Sequence, residues 1–168
     1  MTSSILFVCL GNICRSPLVA AVARRRLADA GLSVTVDSCG TGGWHVGQGA
    51  DPRSIRVAEE AGYALSDHRV RQLAADDFSR FDAILAMDDD YLAALRASSP
   101  PANAHRVMLF LEAAGLAADT PPIVPDPYYD DLDAFRHVLT LAEQGVDGLI
   151  DRLRRGESLA PSSHAAAR

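Results

Sequence analysis

Lysine is absent from this 168-residue chain, and all sixteen of its basic residues are arginine. That excludes a Walker-type phosphate loop, which needs its Lys, and any Schiff-base chemistry. Cysteine is scarce too: Cys9, Cys14 and Cys39 are the whole set and lie in the first quarter of the chain. An odd number clustered in this way fits a reducing compartment better than a disulfide framework. No apolar run approaches membrane-spanning length, and the run after Met1 lacks a basic leader and a cleavage site. A soluble cytoplasmic protein with no membrane partner is expected, with export by an unconventional route left open. Positive charge is in deficit, the formal net charge being -6. A nucleic-acid surface is therefore not expected, and any attraction for phosphate must be local to a site. The one basic run, Arg24-Arg25-Arg26, reads as a solvated helix face.

The five histidines, His45, His68, His105, His137 and His164, repeat at no ligand-like spacing. The most concrete metal set, Cys9, Cys14, Cys39 and His45, matches no common zinc module and would hold Arg15 against the ion. No metal and no cofactor are expected. The carboxylates Asp88-Asp89-Asp90 read as the start of a helix, complementing its dipole, rather than as a metal site, because consecutive helical residues diverge around the axis.

Apolar residues make up 48% of the chain, enough for one compact core. The runs at 5–8, 34–38, 83–87 and 107–111 read as strands, although a helical turn fits the last as well. Between them, 18–30 reads as a helix closed by Gly31, with Arg26 intruding on its apolar stripe, and Asp51-Pro52 opens a second helix. Residues from Phe135 to Leu153 recur at three- and four-residue spacing and predict a long helix to about Arg155, with Gly145 and Gly148 bending or weakening it. Strands alternating with helices imply a single-domain, three-layer α/β fold: a four-stranded parallel sheet flanked by helices on both faces. The domain spans 1–155. Residues 156–168, Ser-, Ala- and Pro-rich without periodicity, are expected to be a disordered tail.

The richest stretch is Val8-Cys9-Leu10-Gly11-Asn12-Ile13-Cys14-Arg15-Ser16-Pro17. It reads as the end of a strand, a tight loop at Gly11 and Asn12, and a helix start with Ser16 as N-cap and Pro17 as first residue. The loop amides and positive helix end point into one concavity, where Arg15 can grip two phosphate oxygens. The same field favours Cys9 as thiolate, since thiols at such sites have pKa values of roughly 3.5 to 7.5. The glycine-rich loop 40–47 carries the single tryptophan, Trp44, which reads either as a lid over the core or as a wall of a ligand cleft.

Attack of a thiolate on a phosphate monoester leaves an oxyanion that needs a proton. Seventeen aspartates are available, and Asp126, wedged between Pro125 and Pro127 ahead of Tyr128 and Tyr129, is the one a stiff loop would hold.

Val8 to Pro17 resembles the phosphate-binding loop of the low-molecular-weight protein tyrosine phosphatases, and Asp126-Pro127-Tyr128-Tyr129 is similar to that family's general-acid loop. The resemblance implies hydrolysis of phosphotyrosine in proteins through a phosphocysteine on Cys9, with Arg15 binding the phosphoryl group and Asp126 as general acid and base. By the same match Leu10, Gly11, Ile13 and Cys14 contribute loop amides, and Asn12 holds the loop in shape. Ser16 donates to the thiolate, Ser38 supports the loop, and Trp44, Tyr128 and Tyr129 wall the cleft. An aromatic at position 44 resembles the eukaryote-like branch of the family. In relatives the second loop thiol can pair with the nucleophile, which the resemblance extends to Cys14; from the residues alone Cys14 is a small loop residue. The implied partners are phosphotyrosine proteins and a tyrosine kinase acting on Tyr128 or Tyr129, the protein itself being a monomer. Heavy Ala and Arg usage suggests a bacterial source. Two alternatives stand beside this reading: a thiol-dependent arsenate reductase on the same fold, which the lack of any cysteine after Cys39 opposes, and a phosphotyrosine-binding module without turnover.

Overall fold

The run Ile5-Leu6-Phe7-Val8 has no polar side, so a strand built from it must be covered on both faces. It forms β1 (Ser4–Cys9), buried from Ile5 to Cys9. Alternation along the strand sends Ile5, Phe7 and Cys9 into one hydrophobic core and Leu6 and Val8 into another. The computed structural model describes residues 2–116 and 122–159. In it β1 pairs in parallel with β2 (Thr35–Gly40) on one side and β3 (Ala83–Ala86) on the other, and β4 (Val107–Leu109) completes the sheet in the order β2-β1-β3-β4. The expected single-domain α/β architecture with a four-stranded parallel sheet is the one observed.

The larger core lies beneath α1 (Arg15–Asp29), α2 (Pro52–Glu60), α5 (Phe110–Ala113) and α6 (Leu132–Arg154). The smaller core takes Phe78 from α3 (Asp77–Arg80) and Leu95 from α4 (Leu92–Ser98). Because β2 and β3 flank β1 on opposite sides, the chain reverses its direction of travel across the sheet at β1. Crevices for ligands form at such switch points, beyond the strands' carboxyl ends, and Cys9 is the last residue of β1.

Several local expectations are corrected. The run at 107–111 divides: β4 stops at Leu109 and Phe110 starts α5, where its ring meets Phe7 edge-on at 5.5 Å. Gly145 and Gly148, expected to bend or weaken α6, lie within a helix that is continuous over its 23 residues. They make room instead: a Cβ at Gly145 would lie 2.2 Å from the Phe110 ring, and one at Gly148 would lie 2.3 Å from the carbonyl oxygen of Ala114. Asp88, Asp89 and Asp90 precede α4 rather than opening it, since that helix begins at Leu92. Arg26 leaves its apolar stripe for a purpose, donating to the Tyr63 hydroxyl at 2.8 Å and to Glu143 and Asp147 at 2.7 Å, so that α1 is tied to α6. Asp51 caps α2 as expected, accepting from the Arg53 amide at 2.8 Å. Past α6, Leu159 is buried in the larger core, so packed structure continues beyond Arg155. The rest of the expected tail, 160–168, lies outside the described residues.

Candidate active site

Cys9 ends β1 and Arg15 begins α1, so residues 10–14 must reverse the chain within five positions. The turn is made at Asn12, whose φ of 58° lies in the left-handed region that Asn tolerates better than most residues. Asn12 is wholly buried and its amide is fully used. The Arg71 main-chain N–H can only donate, so the atom it meets at 3.2 Å is Asn12 Oδ1. Nδ2 must then face the other way, where it donates to Ser16 Oγ at 2.9 Å and Ser38 Oγ at 3.0 Å. Ser16 Oγ, accepting from Asn12, lies 2.9 Å from Cys9 Sγ, to which it donates when the sulfur is a thiolate. The Asn12 N–H also points at that sulfur, from 3.3 Å. Below the loop, His68 Nε2 lies 2.9 Å from the Asn12 carbonyl oxygen, and burial pushes the His68 pKa down, so the ring is neutral and donates there at neutral pH.

Ser16 thus does not cap α1. The helix begins two residues earlier than expected, at Arg15, with Cys14 at the N-cap position and no side-chain cap, and the Ser16 hydroxyl, inside the first turn, lies against the sulfur instead. The uncapped amides of the first turn remain free to bind an anion.

Arg15 is 3% exposed, and its guanidinium is fixed by two acceptors: the Asp88 carboxylate and the carbonyl oxygen of Val124, the latter at 2.9 Å. Burial opposes its charge, but the facing Cys9 sulfur and the Asp88 carboxylate outweigh that and raise its pKa above the usual value. Nη2 lies 4.0 Å from Asp126 Oδ2. The other oxygen of Asp126 accepts from the Tyr128 N–H at 3.1 Å, and the carboxylate is about half exposed.

Between these groups is a cavity of about 240 Å³. Of the site residues expected from the sequence, Cys9, Leu10, Gly11, Ile13, Cys14, Arg15, Trp44, Asp126, Tyr128 and Tyr129 line it. Asn12 and Ser16 do not; both are fully buried behind the loop, where they shape it and address the sulfur. Trp44, at 70% exposure, stands at the cavity wall rather than over the core. Cys14 is buried with Sγ 3.8 Å from Asp51 Oδ2, and burial together with the Asp51 charge pushes its pKa up, which keeps it a thiol. Cys39 is buried away from the cavity, and desolvation likewise raises its pKa. Among the described residues no three His, Cys, Asp or Glu are grouped to hold a metal ion. No helix among them is long and apolar enough to cross a membrane.

Three participants escaped the sequence. Asp88 reaches Arg15 from 73 residues away, His45 lines the cavity, and Arg53 reaches across to the carbonyls of the loop that carries Asp126. Only the position of Asp88 just past an apolar strand hinted at a role, since ligand-facing residues of parallel sheets sit there. Chemically, the arrangement offers a sulfur with hydrogens aimed at it, a fixed guanidinium for a doubly charged group, and a carboxyl group on the open side.

The sequence model of the family described as "Low molecular weight phosphotyrosine protein phosphatase" matches residues 4–159. The chain is 45% identical over 157 residues to a low molecular weight protein-tyrosine-phosphatase of Streptomyces coelicolor, covering 92% of this chain and 95% of that one. It is 46% identical over 134 residues to a low molecular weight phosphotyrosine protein phosphatase of Schizosaccharomyces pombe, covering 78% and 84% of the two chains. Among solved structures, a protein tyrosine phosphatase from Entamoeba histolytica superposes with a TM-score of 0.86 at 34% identity, covering 92% of this chain and 99% of that one.

Proposed function

The chain belongs to the low molecular weight phosphotyrosine protein phosphatase family, and on that premise we propose that it hydrolyses phosphotyrosine in proteins through a phosphocysteine on Cys9. The observation that carries this reading is one cavity in which Cys9 Sγ, polarised by Ser16 at 2.9 Å and the Asn12 N–H at 3.3 Å, faces Arg15 and Asp126. The thiolate attacks phosphorus, the bond to the tyrosyl oxygen breaks, and Asp126 gives that oxygen its proton. Asp126, now a carboxylate, takes a proton from the water that attacks the phosphocysteine, releasing inorganic phosphate and the Cys9 thiolate. Arg15 and the amides of Leu10, Gly11, Ile13 and Cys14 hold the equatorial oxygens, where negative charge concentrates.

Trp44, Tyr128 and Tyr129 give the cavity flat aromatic walls, which suit an aryl phosphate better than the short side chain of phosphoserine. The packed region is one catalytic domain. Tyr129 is 93% exposed and Tyr128 39%, which supports both as sites for a tyrosine kinase. The reading extends to a bacterial, cytoplasmic monomer; the Ala- and Arg-rich composition supports the source, and three unpaired cysteines suit a reducing compartment. The decisive experiment follows phosphate release from phosphotyrosine and phosphoserine peptides, with chelator present, by wild type, Cys9→Ser and Asp126→Asn. Turnover of the phosphotyrosine peptide that Cys9→Ser abolishes is expected. Equal release by wild type and Cys9→Ser would leave a binding module in place of an enzyme.

A further inference from the structure

Arg53 is a surface residue of α2 whose guanidinium makes more contacts than a solvated helix charge requires. Nε and Nη2 engage both oxygens of Asp51, at 3.0 and 2.9 Å. Nη2 also donates to the carbonyl oxygen of Tyr128 at 2.9 Å, and Nη1 to that of Asp130 at 3.1 Å. The plane is set by the Phe135 ring, whose centroid lies 4.3 Å from Cζ.

Each end of this bridge is tied to the chemistry. Asp51 and Ser54 fasten the start of α2 to the phosphate-binding loop, the Asp51 N–H donating to the Ile13 carbonyl at 2.9 Å and the Ser54 hydroxyl to that of Cys14 at 3.1 Å. At the other end, the residue whose carbonyl Arg53 holds is the residue whose N–H holds Asp126: Tyr128 donates to Asp126 Oδ1 at 3.1 Å. That bond occupies Oδ1 and leaves Oδ2 facing Arg15. The turn between, closed by the Asp130 N–H on the Pro127 carbonyl at 2.9 Å, has its two exit carbonyls pinned by Arg53. Proline on both sides of Asp126 stiffens the segment but does not set its distance from the sulfur.

We propose that Arg53 is a positioning residue: by bridging Asp51 to the Tyr128 and Asp130 carbonyls it sets the acid-bearing loop in register with the phosphate-binding loop, and so places the proton of Asp126 on the leaving oxygen. The proposal rests on the phosphatase reading above and names a residue that touches neither substrate nor sulfur. Displacing a catalytic group by about 1 Å can cost on the order of a hundredfold in rate, so a lost strap is measurable in the chemical step.

The test compares kcat/KM on phenyl phosphate, whose leaving group needs a proton, with kcat/KM on dinitrophenyl phosphate, whose leaving group departs without one. Arg53→Met keeps the apolar stem over Phe135 and removes every donor. It is expected to lose about tenfold or more on phenyl phosphate and less than about twofold on the dinitrophenyl ester, part of the range a general acid supplies. In an Asp126→Asn background the same substitution should cost nothing further, because there is no proton left to place. Equal losses on both esters, or a further loss of the same size in the Asp126→Asn background, would reduce Arg53 to a structural contact and overturn the proposal. If Arg53→Met does not fold at the assay temperature, Arg53→Lys, which keeps charge and stem but not the fork, is judged by the same criteria. Failure of wild type to turn over either ester would instead strike the phosphatase reading itself.

Discussion

The geometry of the loop predicts that Asn12 is worth more than any other uncharged side chain near the sulfur. Asn12→Ala deletes three hydrogen bonds made by one buried amide, to Ser16, Ser38 and the Arg71 N–H. The two serine hydroxyls can rotate, so each loss lies near the net value of about 1 kcal/mol, while the Arg71 N–H cannot turn and loses at least as much. Alanine at a φ of 58° adds about 1 to 2 kcal/mol of backbone strain. The sum is about 4 to 5 kcal/mol, a large share of the roughly 5 to 15 kcal/mol that holds a domain together. Asn12→Gly loses the same bonds without the strain and should fall about 1 kcal/mol short of that. Urea denaturation of the three proteins reads both numbers as shifts in midpoint at constant slope, the Ala variant moving by about 2 M for a slope near 2 kcal/mol/M. The loss should reach the chemistry as well, since Ser16 then lacks the bond that turns its hydrogen to Cys9. An Asn12→Ala variant destabilised by less than about 1 kcal/mol, or Ala and Gly variants of equal stability, would refute the argument.

Gly145→Ala offers a test of sign: an exposed helix would gain about 1 kcal/mol from the change, but here the new Cβ would overlap the Phe110 ring, so a net loss of about 1 to 3 kcal/mol by urea denaturation is expected. Asp88→Ala removes the carboxylate that balances the buried Arg15 and should cost about 3 kcal/mol, part of which inorganic phosphate restores by taking its place; a melting temperature indifferent to phosphate would contradict this. His68 has its pKa lowered by burial, so between that value and the ordinary value of about 6.5 the unfolded chain binds a proton that the folded chain does not. Its contribution is therefore fully present above about pH 6.5 and is lost as the pH falls toward the folded value, and His68→Gln should show a flatter urea midpoint between pH 5 and 7.5 than wild type.

What the sequence determined alone is whatever is written within a few consecutive residues. The apolar run before Cys9, the left-handed turn at Asn12, the cap at Asp51 and the three-and-four spacing of α6 are local, because strand and helix periods and turn chemistry repeat within one or two turns of chain. They brought thiol, anion-binding loop and Arg15 together without any fold. Asp126 was local only in its stiffness; choosing it among seventeen aspartates took a family resemblance, since nothing near position 126 states its distance from position 9.

Tertiary structure decided the partners. Arg26 looked misplaced on an apolar stripe until α6 brought Glu143 and Asp147 against it, more than a hundred residues on. Gly145 and Gly148 looked like weak points in a helix until Phe110 and Ala114 filled the space their missing side chains leave. Asp88 looked like a dipole partner for the next helix until β3 delivered it beside Arg15, and Arg53, which no local pattern singled out, acquired its role only when the loop at 126–130 lay across it. In each case the preference of one residue was satisfied by a group whose position depends on how the chain crosses the sheet, and the free energy of such a pairing does not exist until both segments arrive.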